Sequence, residues 1–256
     1  MRNIIAICKR ELLSFFVSPI AYFVITGFTL LVGFFFFNYF SLFLRMYQMS
    51  AYLSMRGMPL PNLNQTIIEG VYQTMIVILV FLVPLLTMRI VAEDKRRGTF
   101  ELLLTSPVSV FEIVMGKFLS LAVIIFAMLS ISFIFPLLLI VYGAPEVPPI
   151  LSGFVGVLLC TLGFASIGMA VSSFTENQIV AGVSSMVTLL LLYVIQAPAE
   201  SLDGTVADVL RYLSPVDQVQ DFVRGVVTLK ATVYFVSMIT LGLFLSQRAL
   251  DALRWR

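Results

Sequence analysis

The chain has 256 residues, 60% of them hydrophobic and 12% charged, with a formal net charge of +2 and a mean hydropathy of +1.03. Soluble domains carry about 25% charged residues, so the composition excludes a soluble globular domain and indicates an all-α polytopic membrane protein. There is no histidine, which removes Ser-His and Cys-His catalysis and histidine metal sites. Cys8 and Cys160 lie far apart and suggest neither a metal knuckle nor a disulfide framework; Cys160 reads as a small packing residue.

Residues 2–16 place Ile4, Ile5, Cys8, Leu12, Phe15 and Phe16 on one apolar face, with Arg2, Lys9 and Arg10 largely elsewhere. This predicts an amphipathic helix lying in the membrane interface. No small-residue cleavage site follows, so the segment reads as mature sequence and not as a signal peptide. Ser18-Pro19 marks a break, because the residue before a proline avoids the α region. A first span is expected over 20–44 and a second over 66–91, each longer than the roughly 20 residues that cross a hydrocarbon core. The polar stretch 45–65 between them reads as a loop.

Residues 92–109, A-E-D-K-R-R-G-T-F-E-L-L-L-T-S-P-V-S, form the densest run of charge. Gly98 breaks the chain, Thr99 caps a short helix over 99–105, and Ser106-Pro107 stops it. Phe100, Leu103 and Leu104 share one face of that helix, and Glu101 and Thr105 lie away from it. An apolar stripe on a loop in water needs a partner, either the lipid surface or another protein. Ser109-x-x-Glu112 is a capping-box pattern opening a third span over 110–142, with a kink expected at Pro136. A stiff G-A-P-E-V-P-P connection leads to a fourth span over 150–171. Thr175-x-x-Gln178 is a second capping-box pattern, opening a fifth span over 178–195. Residues 196–229 are mostly polar and precede a sixth span over 231–245. Within them, Ser214-Pro215-x-Asp217 starts a helix that Gly225 ends, with Asp217, Asp221 and Arg224 spaced to pair along it.

Six spans put both termini on one side. Arg2, Lys9, Arg10, Arg89, Lys95, Arg96, Arg97, Lys117, Arg248, Arg254 and Arg256 fall on that side and make 11 of the 16 Lys plus Arg. The positive-inside rule therefore predicts cytoplasmic termini and a cytoplasmic central loop. No Asp, Glu, Lys or Arg is expected at mid-membrane, where a charge costs at least about 2.5–3.5 kcal/mol and usually marks a proton relay or ion path. This disfavours a secondary transporter or channel. Ser166, Ser172 and Ser173 have no base partner and read as helix-packing residues. The sequence also lacks a G-x-x-x-x-G-K-[ST] phosphate loop, so energy for any work must come from a partner.

The run from Glu93 through Gly98, Thr99, Phe100 and Glu101 to Leu103, followed by Ser106-Pro107-Val108, resembles the loop between the second and third spans of type-2 ATP-binding-cassette (ABC) transporter permeases. Tyr212-Leu213-Ser214-Pro215 through Asp221-Phe222-Val223-Arg224-Gly225-Val226 resembles the pattern those permeases carry before their sixth span. The likeness covers essentially the whole chain as a single transmembrane domain and is nearest to the gliding-motility-associated permeases. It implies the membrane subunit of an exporter in a prokaryotic inner membrane, with no catalytic motif and no cofactor of its own. ATP and Mg would be held by cytoplasmic ABC ATPase subunits. A second copy or a related permease and membrane lipids would be the other partners; nucleic acid would not. The loop helix would be a coupling helix: Phe100, Leu103 and Leu104 fill a groove on the ATPase, Glu93 and Glu101 make polar contacts, and Gly98, Thr99 and Pro107 shape the segment. Ser214, Pro215, Asp221, Phe222, Arg224 and Gly225 would belong to short outer-side helices closing the path. The rival reading is a non-transporting scaffold that anchors an ATPase or envelope complex and passes force.

Overall fold

The computed structural model describes residues 2–49, 62–96, 98, 108–143, 145–201 and 204–254. Helix α1 (Arg2–Val17) ends at a bend on Ser18, and Pro19 starts α2 (Pro19–Gln48). Proline suits that first helical position because its missing N–H has no intrahelical partner there. Helix α2 runs past the expected end at residue 44. Arg45, Met46, Tyr47 and Gln48 are helical, not part of the loop. A wide π turn (Asn64–Glu69) leads into α3 (Gly70–Ile90). The Tyr39 ring lies over Gly70, where an added Cβ would come within 2.8 Å of it, and Tyr39 Oη is 3.0 Å from Thr74 Oγ1. These contacts fix the start of the second span against the first.

After a turn at Val91 comes α4 (Ala92–Arg96), the base of the central loop. Helix α5 (Val110–Ser132) starts on the expected capping box: Ser109 Oγ accepts from Glu112 N, and the Glu112 carboxylate accepts from Ser109 N. A step at Phe133 separates α5 from α6 (Ile134–Gly143). It is the Pro136 kink seen one turn earlier, since proline gives no hydrogen bond to the carbonyl four residues back, here that of Ser132, and crowds it. Hydrogen bonds from Phe133 N to Leu129 O and from Leu137 N to Phe133 O keep the ladder intact on both sides of the step, so α5 and α6 act as one span.

Helix α7 (Val147–Ser173) lies at the centre and packs on α3, α5, α8 (Gln178–Val194), α11 (Pro215–Val223) and α12 (Leu229–Arg254). Its small residues make this possible. Gly153 lies under Tyr72, Gly156 under Phe222, Gly163 under Met238 and Gly168 under Thr87. Small residues let helices approach where lipid supplies no hydrophobic drive. The serines behave as packing residues: Ser166 Oγ donates to Gly163 O at 2.7 Å and Ser173 Oγ to Met169 O at 2.8 Å. Cys160 is buried beside them.

The fifth span does not start on the expected Thr175/Gln178 box. Asn177 is the cap, its Oδ1 accepting from Ile179 N, while Thr175 Oγ1 accepts from Asn177 N. The short Asn side chain sits one residue before the helix, where it reaches that amide. Residues 196–229 contain α9 (Gln196–Ser201), α10 (Thr205–Leu213) and α11. The sixth span is longer than expected, because the amphipathic run after residue 245 continues α12 to Arg254. Among the described residues, six helices are long and apolar enough to cross a membrane: Ala21–Gln48, Asn64–Arg96, Val110–Gly143, Val147–Ser173, Gln178–Pro198 and Leu229–Ala252.

The α7–α12 contact has the least slack. A Cβ on Gly242 would lie 2.6 Å from the Ser166 carbonyl carbon, a backbone atom, whereas a Cβ on Gly27 of α2 meets nothing within 4 Å. Gly242→Ala should destabilise the fold by about 1–3 kcal/mol and lower the unfolding midpoint in detergent, while Gly27→Ala leaves it unchanged or raised. Equal midpoints for the two variants would contradict this packing.

Candidate functional site

The central-loop end of the molecule is held by buried charge. Helix α1 meets α5 at Gly116, where a Cβ would come within 2.8 Å of Ile7 Cβ. That close approach brings Glu11 against the next residue, Lys117. The Lys117 ammonium is 3.0 Å from Glu11 Oε1, 2.5 Å from Asp94 Oδ2 and 2.6 Å from the Ile90 carbonyl oxygen. An ammonium has three donors and no acceptor, and here each donor has one acceptor. Lys117 is 0% exposed and Glu11 8%. Arg10 completes the cluster, with Nη2 at 2.5 Å from the same Glu11 oxygen and 3.5 Å from the same Asp94 oxygen. Two cations and two carboxylates therefore balance. Partial burial disfavours the Arg10 charge, but its hydrogen bond to Glu11 and the Glu11 and Asp94 charges outweigh this and hold it more firmly protonated than usual.

Around this cluster the α1–α2 bend and the end of α7 are tied to α3 and α4. Arg89 Nε donates to Glu93 Oε2 at 2.8 Å, and its Nη1 donates to Ser18 Oγ at 3.0 Å, joining the end of the second span to the α1–α2 bend. The Ala92 amide, released by the turn at Val91, donates to Ser172 Oγ at 3.2 Å. Lys95 Nζ donates to Ser173 O at 2.5 Å, a cation at the carbonyl end of α7, as the helix dipole favours. Between α1, α3 and α4 lies a cavity of about 50 Å³ lined by Glu11, Ser14, Phe15, Arg89, Ile90, Glu93 and Asp94.

Ile7, Glu11 and Phe15 of α1 are buried, while Ile5 and Phe16 of the expected apolar face are 67% and 40% exposed. The helix is seated on α5 through an ionisable residue, and part of its apolar face is left for lipid. Glu11 was missed because hydropathy assigns a glutamate to the wet face. The signal that finds it is its i, i+4, i+8 alignment with Ile7 and Phe15.

Of the central-loop residues, Glu93 is engaged by Arg89, and Gly98 has φ +69° with its N–H on Lys95 O at 3.1 Å. That left-handed conformation favours glycine and ends the helix where the sequence predicted a break. Thr99, Phe100, Glu101, Leu103, Leu104 and Pro107, and with them the helix expected over 99–105, lie outside the described residues.

At the far end, Ser214 Oγ accepts from Asp217 N at 3.3 Å with Pro215 at the first helical position. Gly225 (φ +93°) closes α11: Gly225 N donates to Phe222 O and Val226 N to Asp221 O, the paired bonds of a Schellman motif. Val216, Val219, Phe222 and Val223 are buried against the protein. Phe222 O accepts from Ser152 Oγ at 2.6 Å, fixing α11 to α7. Asp221 accepts from Thr228 Oγ1 at 3.2 Å. Arg224 is exposed and lines a cavity of about 390 Å³ with Asn62, Asn64, Gln65, Glu69 and Glu146.

Removing one partner from a buried ionic group costs about 3–5 kcal/mol. Lys117→Met should therefore lower the detergent unfolding midpoint far more than Arg10→Met, whose side chain is half-exposed. Adding Glu11→Gln and Asp94→Asn to Lys117→Met should recover most of the loss. A Lys117→Met protein as stable as its parent would show that the ammonium does not hold these helices.

The family model for ABC-2 family transporter proteins matches residues 41–245, most of the chain and all of α3 to α11. No curated protein matches it. The permeases of that family work with ABC ATPase subunits. A six-span chain with its helix ends clamped around a central loop, matched over that length, belongs to the ABC-2 family transporter proteins and is the non-catalytic membrane permease of an ABC transporter.

Proposed function

We propose that this permease is the exporter type, driven through its central loop. A cytoplasmic ABC ATPase, which holds the ATP and Mg, docks on residues 99–105. Phe100, Leu103 and Leu104 enter a groove on it, with Glu93, Gly98, Thr99, Glu101 and Pro107 shaping and flanking the contact. Both termini face the cytoplasm of a prokaryotic cell, and the chain is nearest to the gliding-motility-associated permeases. Two permeases, identical or related, switch as rigid bodies; α2 and α8 contain the two least buried spans and leave surface for a partner copy. The far-end helices carrying Ser214, Pro215, Asp221, Phe222, Arg224 and Gly225 close the path on the outer side.

The observation that carries this reading is the clamping of α4. Its base is bound by Lys117 of α5, by Glu11 and Arg10 of α1 through the shared cluster, and by Ser172 and Ser173 of α7. A load applied to the central loop at that base reaches three spans and the interfacial helix without passing through a flexible joint.

Burying two large apolar side chains contributes about 1.5–3 kcal/mol each. Phe100→Asp with Leu103→Asp should therefore weaken ATPase association at least about a hundredfold, measured as the ATPase copurifying with the permease in mild detergent. Undiminished ATPase recovery with the double variant would overturn the docking reading.

A further inference from the structure

We infer that Lys117 is a positioning residue that makes α1, α4 and α5 move as one body when the central loop is loaded. The inference rests on the reading that an ATPase loads that loop.

Three elements distant in sequence meet at one ammonium: Glu11 from α1, Ile90 O and Asp94 from the α3–α4 junction, and Lys117 itself from α5. Arg10 adds a second direct link between α1 and α4, touching the same two carboxylate oxygens. Apolar packing joins α1 to α5 at Ile7 and Gly116, but it offers no directional tie to α4. A buried ion pair is a poor way to gain stability, since well-packed apolar residues of equal volume often do as well or better. What it adds is geometry. Three hydrogen bonds from different elements converge on one nitrogen, and α4 cannot slide past α1 without exposing unpaired charge to an apolar interior. Lysine suits the role because its compact charge and three donors reach three acceptors in different directions. Load on the central loop then passes to the interfacial helix and the third span at once, and α1 cannot lag behind in the membrane surface.

The test uses the permease reconstituted with its ATPase in a Cys8→Ser background. Spin-label pairs sit at Lys9→Cys with Arg96→Cys, reporting α1 against α4, and at Arg96→Cys with Val226→Cys, reporting the loop base against the far end. All three positions are exposed. Distances are measured with and without ATP plus vanadate, in the parent, in the variant Glu11→Gln/Asp94→Asn/Lys117→Met, and in Arg10→Met/Glu11→Met, which also removes the Arg10 link to Asp94. The last keeps Lys117 bound to Asp94 and Ile90 O and detaches α1 alone, so a folding failure of the triple variant leaves the test standing. In the parent, the Arg96–Val226 distance should shift by about 2 Å or more while the Lys9–Arg96 distance stays fixed. In both variants the Lys9–Arg96 distance should shift or broaden on ATP addition. Variants that keep the Lys9–Arg96 distance as fixed as the parent, while Arg96–Val226 still shifts, overturn the role of Lys117. A parent whose Arg96–Val226 distance does not respond to ATP overturns the ATPase-driven reading and the inference with it.

Discussion

An ammonium with no exposure, roughly two turns into a membrane-spanning helix, must find three acceptors or be expelled. At Lys117 that requirement organises the whole central-loop end. It calls Glu11 to the buried face of α1, in line with Ile7 and Phe15. It uses the Ile90 carbonyl, near the last turn of α3. It anchors Asp94, and with it α4 and the start of the central loop. Gly116 is part of the same arrangement, because only a residue without a side chain lets α1 come near enough for Glu11 to reach.

The two ends of the molecule are held by different physics. At the central-loop end, charge-assisted bonds join helix termini that apolar packing alone would leave free to slide. Around α7 the cohesion is steric: glycines admit the bulk of Tyr72, Phe222, Met238 and Thr87, and serine hydroxyls return their hydrogen bonds to nearby carbonyls. Such contacts are numerous and individually weak. The far-end helix α11 belongs to this second kind, with Phe222 at once a buried side chain and a carbonyl acceptor for Ser152.

What was legible in the sequence is what is local. The Ser109–Glu112 box, the Ser18-Pro19 break, the Ser214-Pro215 start and the Gly225 stop depend on residues a few positions apart, and each is found where it was read. Six apolar runs likewise correspond to six helices, among the described residues, long enough to cross a membrane, because hydrocarbon thickness imposes a minimum length on each. Helix ends set by competition between neighbours were less legible. Asn177 displaced Thr175 as a cap, and α12 outran its apolar run, since an amphipathic tail continues a helix that hydropathy alone would end. The Lys117 cluster was not legible at all. Its members come from residues 10 to 117 of the chain, and each alone looks like a charge near a membrane face. Only the Gly116 contact, a tertiary fact, shows that they converge. The residues expected to touch the ATPase carry a local helical pattern, but their role depends on a surface this chain does not contain.

A chain with no catalytic apparatus in its family role contributes only the difference between its contacts in two states. Interfaces that deform smoothly would absorb a load applied at one end. Interfaces that are bistable pass it on, because close packing and directional bonds leave few intermediate arrangements. The permease has both properties where they are needed. The charged cluster gathers α1, α4 and α5 at the end where the central loop begins, and Lys95 with Ser172 and Ser173 ties the same base to α7. From there α7 runs 27 residues to the far end, where Ser152 and Gly156 meet Phe222 of α11. A single helix thus connects the foot of the central loop to the helix capped by Ser214 and Gly225, and under the proposed drive a displacement at the loop base reaches the far-end helices along it without a separate relay.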